Sequence, residues 1–125
     1  MNYLIVFAGG GLGAAARYGM NVGVVRIAGS AFPWHTLAVN IIGCFLMGAL
    51  TAATASRLNL SNETRLFLTT GVLGGFTTFS AFALDFALLI ERRDQIWAVG
   101  YVLASVGLCI IACFAGLALV RAVAP

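Results

Sequence analysis

Between Thr70 and Phe82 the chain reads Thr-Gly-Val-Leu-Gly-Gly-Phe-Thr-Thr-Phe-Ser-Ala-Phe, which sets glycines and hydroxyls into an otherwise apolar run. Such a break frees backbone carbonyls and amides, and at bilayer depth these persist only where protein or a water-lined cavity satisfies them. It therefore points to a site that handles an ion or a small polar solute. Asn40 adds a carboxamide with two N–H donors near the centre of another apolar run. Phe79 and Phe82, three residues apart, share one helix face with Ser80 between them. Each has an ordinary reading, since amides glue membrane helices together and phenylalanines pack or meet lipid. Their position beside the polar break sets them apart.

Two ionisable residues fall within apolar runs, Arg17 in the first and Asp85 in the third. Intramembrane charge marks function by default. Arg17 either draws an anion into a vestibule, or pairs with Asp85 or snorkels to the membrane surface.

Other chemistries fail on context. Gly9-Gly10-Gly11-Leu12-Gly13-Ala14 imitates a dinucleotide-binding turn, but no Asp or Glu occurs before Glu63 to hold a ribose. Cys44, Cys109 and Cys113 all sit in apolar runs without a paired spacing, and His35 is the single histidine, expected at the surface. No catalytic constellation is present, so the chain is not expected to be an enzyme. The net charge of +3 comes from scattered arginines without a basic stripe, which argues against nucleic acid as a partner.

The elements that must carry these residues are transmembrane helices. Of 125 residues 62% are hydrophobic and only 9% charged, against roughly 25% charged in a soluble domain. The charges punctuate four apolar segments, about 3–25, 32–56, 64–90 and 95–120, each longer than the roughly 20 residues that cross a hydrocarbon core. One all-α domain of four transmembrane helices over 1–125 follows, with the third helix broken. Pro33 suits the first turn of the second helix, Trp34 and Trp97 suit the interfacial belt, and Ser61 or Asn62 caps the third with Glu63 in its first turn. The first segment lacks a basic leader and is expected to be retained.

With four spans, Arg57, Arg65 and Arg121 lie on one side and Arg26, Arg92 and Arg93 on the other. Orientation follows an excess of positive residues, and here the sides balance, which predicts insertion both ways and an antiparallel homodimer. A four-helix bundle fills its own interior, so a conduit needs a second copy. Gly9 with Gly13, Gly19 with Gly23, Gly71 with Gly75 and Ala112 with Gly116 offer faces for close helix contact.

These residues resemble the Fluc (CrcB-type) fluoride channels over the whole chain, through Gly10–Tyr18 in helix one, Thr36–Phe45 in helix two and, most specifically, Thr70–Phe82 in helix three. The resemblance implies a dual-topology antiparallel homodimer with two fluoride pores and one structural sodium ion at its interface. It implies that the backbone carbonyls of Gly74 and Thr77 bind that sodium, that Asn40 and Ser80 line the anion path, and that Phe79 and Phe82 face the ion. No organic cofactor is implied. Where the family pattern runs Phe-Ser-Thr-Phe-Ser, this chain has Phe79-Ser80-Ala81-Phe82-Ala83, two hydroxyls fewer. Thr78 or Ser105 could compensate. The expectation is a passive fluoride-selective channel of a bacterial inner membrane, exporting fluoride down its gradient. The alternative, a small dual-topology proton-coupled multidrug exporter, needs a carboxylate in helix one, where this chain has none.

Overall fold

A computed structural model describes residues 1–56 and 58–124; Arg57, one of the arginines counted above, lies outside the described residues. All the regular structure among them is helical. Helix α1 runs Asn2–Ala28 and α2 Trp34–Ser56. The third span is composite: α3 (Asn62–Leu66), a π-helical stretch (Phe67–Leu73), the single turn α4 (Gly74–Phe76), a two-residue break, then α5 (Phe79–Glu91). Helix α6 (Gln95–Val123) closes the chain. Three of these units, Trp34–Ser56, Asn62–Glu91 and Gln95–Val123, are long and apolar enough to cross a membrane. With 27 residues α1 has the length, but Arg17, Asn21 and its glycines dilute its apolarity.

The ends follow local chemistry. Ser61 caps α3 by accepting from the Thr64 amide at 3.2 Å, with Glu63 in the positive first turn. Pro33 sits one residue earlier than expected: α2 begins at Trp34, and the Pro33 carbonyl accepts its first bond, from the Leu37 amide. Gly29 ends α1 at φ 79°, a left-handed conformation that glycine adopts without steric cost. Arg93 takes the same region at φ 61° to turn α5 into α6, and Arg92 Nη2 ties that turn to the Ala31 carbonyl at 3.1 Å.

Two kinds of packing hold the helices. At one end Leu37, Leu89, Ala98 and Tyr101 form a buried cluster, with Phe32, Ile41, Phe82 and Phe86 packed on it. Phe32 joins Trp34 and Trp97 there, at ring-centroid distances of 4.6 and 5.7 Å. Elsewhere backbones meet through glycine. A Cβ on Gly9 would lie 2.9 Å from the Gly71 Cα, one on Gly75 would strike the Gly10 carbonyl, and one on Gly13 the Val72 carbonyl, so α1 lies hard against the π-helical stretch and α4. Gly48 against the Cys113 carbonyl and Gly116 against the Phe45 carbonyl clamp α2 to α6 in the same way. Of the glycine pairs noted in the sequence, Gly19 with Gly23 meets nothing within 4 Å.

Candidate functional site

The third span departs from α-helical hydrogen bonding before it breaks. The Gly74 amide bonds to the Thr69 carbonyl five residues back, the wide turn of a π-helix, a feature frequent at functional sites. Thr77 and Thr78 then take extended conformations (φ −79°, ψ 156° and φ −153°, ψ 123°). Asn40 of α2 faces this break. Its Nδ2 donates to the Thr78 carbonyl at 2.9 Å, and its Oδ1 accepts from the Thr78 amide at 2.8 Å. One carboxamide thus satisfies both backbone groups of one residue, as a neighbouring peptide would. The Thr78 hydroxyl caps α5 by accepting from the Ala81 amide at 3.2 Å, and lies 3.3 Å from Ser80 Oγ.

These bonds release two carbonyls. In an unbroken helix the Gly74 oxygen would accept from the Thr78 amide and the Thr77 oxygen from the Ala81 amide. Here those amides are bound to Asn40 and to the Thr78 hydroxyl. Gly74 and Thr77 are the residues that the family resemblance assigns to sodium. Their donor chemistry fits a hard cation, because carbonyl oxygens are neutral ligands that need no deprotonation. Gly74 also lies on an open face, where an added Cβ would meet only the Thr69 carbonyl, at 3.6 Å.

Seven of the nine residues nominated from sequence line one cavity of about 470 Å³: Asn40, Gly74, Thr77, Thr78, Phe79, Phe82 and Ser105. Cys44, Val106, Cys109 and Ile110 complete the lining. The Phe79 and Phe82 rings stand 5.3 Å apart and tilted by 47°; Phe79 is 78% exposed, while Phe82 is half-buried against Tyr101 at 5.1 Å. Ser105 Oγ is buried without a hydrogen-bond partner among the described residues. An unmatched buried hydroxyl costs about 1–3 kcal/mol, which a polar solute in the cavity would recover.

The other two, Arg17 and Ser80, face a separate hollow of about 460 Å³ between α1 and α5, with Tyr18 and Asn21. Thr78 borders both spaces. Arg17 and Asp85 do not share a site. Asp85 Oδ2 accepts from the Tyr101 hydroxyl at 2.9 Å and lines a third hollow, of about 230 Å³, with His35 and Arg92. His35 is therefore not the surface residue expected: it is half-buried, with Nδ1 enclosed and unpartnered among the described residues. Sequence reading missed Tyr101, Cys44 and Cys109 as members of this region. The signal was available in the four-residue spacing Tyr101, Ser105, Cys109 on α6 and Asn40, Cys44 on α2, which places each series on one face.

Comparison with known proteins gives this geometry a lineage. Residues 4–117 match the model of the family described as CrcB-like protein, Camphor Resistance (CrcB). A relative from Mesorhizobium japonicum is 54% identical over 120 residues, covering 96% of each chain. One from Rhodopseudomonas palustris is 52% identical over 123 residues, covering 98% of this chain and 99% of its own, and one from Agrobacterium fabrum is 54% identical over 121 residues, covering 97% of each. All three bear the name fluoride-specific ion channel FluC. The family is one of ion channels rather than enzymes, and this chain, matched through all its helices including the broken third span, belongs to it.

Proposed function

We propose that the chain is a fluoride-selective passive channel of a bacterial inner membrane that lets cytoplasmic fluoride leave down its electrochemical gradient. What carries this reading is the nearly full-length likeness to relatives named as fluoride-specific channels. The cavity supports it. Fluoride is small and strongly hydrated, so leaving water demands replacement donors. Asn40 spends one Nδ2 proton on the Thr78 carbonyl and keeps the other for a passing anion. The Ser105 hydroxyl supplies another donor, and the positive ring edges of Phe79 and Phe82 add to them. Chloride, larger and more weakly hydrated, gains less from so compact a set.

In this reading all four helical units span the bilayer, α1 included, and two copies insert in opposite orientations as a homodimer. Support comes from the balanced arginines, and from the large open side chains around the break, Phe79 above all, beside the exposed Gly74. The Gly74 and Thr77 carbonyls of both copies would hold a structural sodium ion, which supplies fixed positive charge near the anion path. Arg17, in the hollow with Ser80 and Asn21, acts as an electropositive vestibule leading to Thr78.

The test is anion efflux from liposomes that contain only the purified protein. Fluoride should leave rapidly and chloride should be retained. Equal efflux of both anions, or none of either, refutes the proposal.

A further inference from the structure

Cys44 stands one helical turn beyond Asn40 on α2, and Cys109 one turn beyond Ser105 on α6. Both side chains line the central cavity and both are free thiols, and the backbone contact of Gly48 with Cys113, one turn beyond each of them, sets the two at the same level on facing helices. The helices that carry them cannot slide apart, because Gly48 and Gly116 lock α2 and α6 backbone to backbone on the same stretch. Two sulfurs on rigid facing elements make a preorganised pair of soft ligands. No group of three or more His, Cys, Asp or Glu side chains gathers among the described residues, so a tetrahedral zinc site is not formed.

We infer that Cys44 and Cys109 form a two-thiolate site for a soft d10 cation that favours linear coordination, typified by mercury(II). Binding is a ligand exchange without redox change: two S–H bonds break, two S–Hg bonds form, and two protons leave to solvent. The product is electrically neutral, which suits a lining that is mostly apolar. Cys113, one turn further on α6, stays outside the cavity and gives the natural control. That the bound metal also obstructs an anion path rests on the function proposed above; the thiol site itself does not.

The experiment loads the purified full-length protein with one equivalent of mercuric ion, washes it with excess glutathione, and measures retained mercury by elemental analysis beside fluoride efflux from liposomes. Bidentate attachment raises retention by roughly 100-fold over a single thiol. Wild type and Cys113→Ser should therefore keep about one mercury per subunit, while Cys44→Ser and Cys109→Ser lose it. Elution of each variant at the wild-type volume in size exclusion establishes that it is folded. Equal retention in wild type and the two cavity variants overturns the site. Selective retention with undiminished fluoride efflux upholds the site and counts against the cavity as the conduit.

Discussion

Replacing Asn40 by Ala should loosen the third span at one residue. The substitution removes two hydrogen bonds, of 2.9 and 2.8 Å, and leaves both the amide and the carbonyl of Thr78 without their partner. An unsatisfied buried group costs about 1–3 kcal/mol, so the pair would cost about 2–6 kcal/mol in a dry site. Asn40 and Thr78 are only partly buried and border an open cavity, so water recovers roughly half, leaving about 1–3 kcal/mol. At 1.4 kcal/mol per decade this range equals roughly 5- to 150-fold faster exchange of the Thr78 amide hydrogen through local opening. Asn40→Asp separates the two bonds, since a carboxylate keeps the acceptor for the Thr78 amide and lacks the donor for its carbonyl. Hydrogen exchange resolved at Thr78 should therefore rank Asn40→Ala fastest, Asn40→Asp between, and wild type slowest. Fluoride efflux should vanish in Asn40→Ala, because the donor is lost and the break that positions Phe79 relaxes. Unchanged exchange at Thr78 in Asn40→Ala would refute the clamp, and wild-type efflux would refute its part in conduction.

The double variant Phe79→Ile with Phe82→Ile keeps apolar bulk but removes the polarised ring edges, and should abolish fluoride efflux while size exclusion shows an unaltered assembly; wild-type rates would remove the rings from the path. Gly13→Ala drives a methyl into the Val72 carbonyl and to 2.9 Å from the Phe76 nitrogen, for a loss of about 1–3 kcal/mol in detergent unfolding, whereas Gly19→Ala enters open space and gains up to about 1 kcal/mol of helix propensity. Equal effects at the two positions would contradict the glycine contacts. Tyr101→Phe strips the donor from Asp85 and should cost about 1–3 kcal/mol in the same measurement; a change below about 0.5 kcal/mol would show that the contact carries no stability.

Helices were legible because lipid leaves the backbone few alternatives: the segment expected over about 64–90 forms between Asn62 and Glu91, and that over 95–120 between Gln95 and Val123. Of the small-residue pairs, Gly9 with Gly13, Gly71 with Gly75 and Ala112 with Gly116 are buried or in backbone contact, while Gly19 and Gly23 stand open. Spacing reveals which residues share a face but not what that face meets. The same limit explains Arg17 and Asp85, which sequence depth brings near each other but which the helix rotations turn into different hollows. The break itself was visible in the glycines and threonines. Its exact place at Thr77–Thr78 was not, since it depends on a contact with Asn40 thirty-eight residues away in sequence. Ser80 follows from helix geometry: one residue along α5 turns a side chain by about 100°, so Ser80 borders the hollow with Arg17 while Phe79 and Phe82 line the central cavity.

The two packing modes explain why a broken helix can stay rigid. The first half of the third span is held to α1 by glycine contacts, where backbones touch and side chains cannot yield. The second half is held through Leu89, Phe82 and Phe86 in the cluster around Tyr101. Thr77 and Thr78 form the seam between these blocks, and Asn40 fastens that seam from a helix locked independently to α6. The freed carbonyls of Gly74 and Thr77 and the rings of Phe79 and Phe82 are therefore positioned by three separate anchors rather than by the strength of one flexible loop. A small, strongly hydrated ion gains from this only if its substitutes for water are already in place, since moving them into position during passage would add the ordering cost that preorganisation removes.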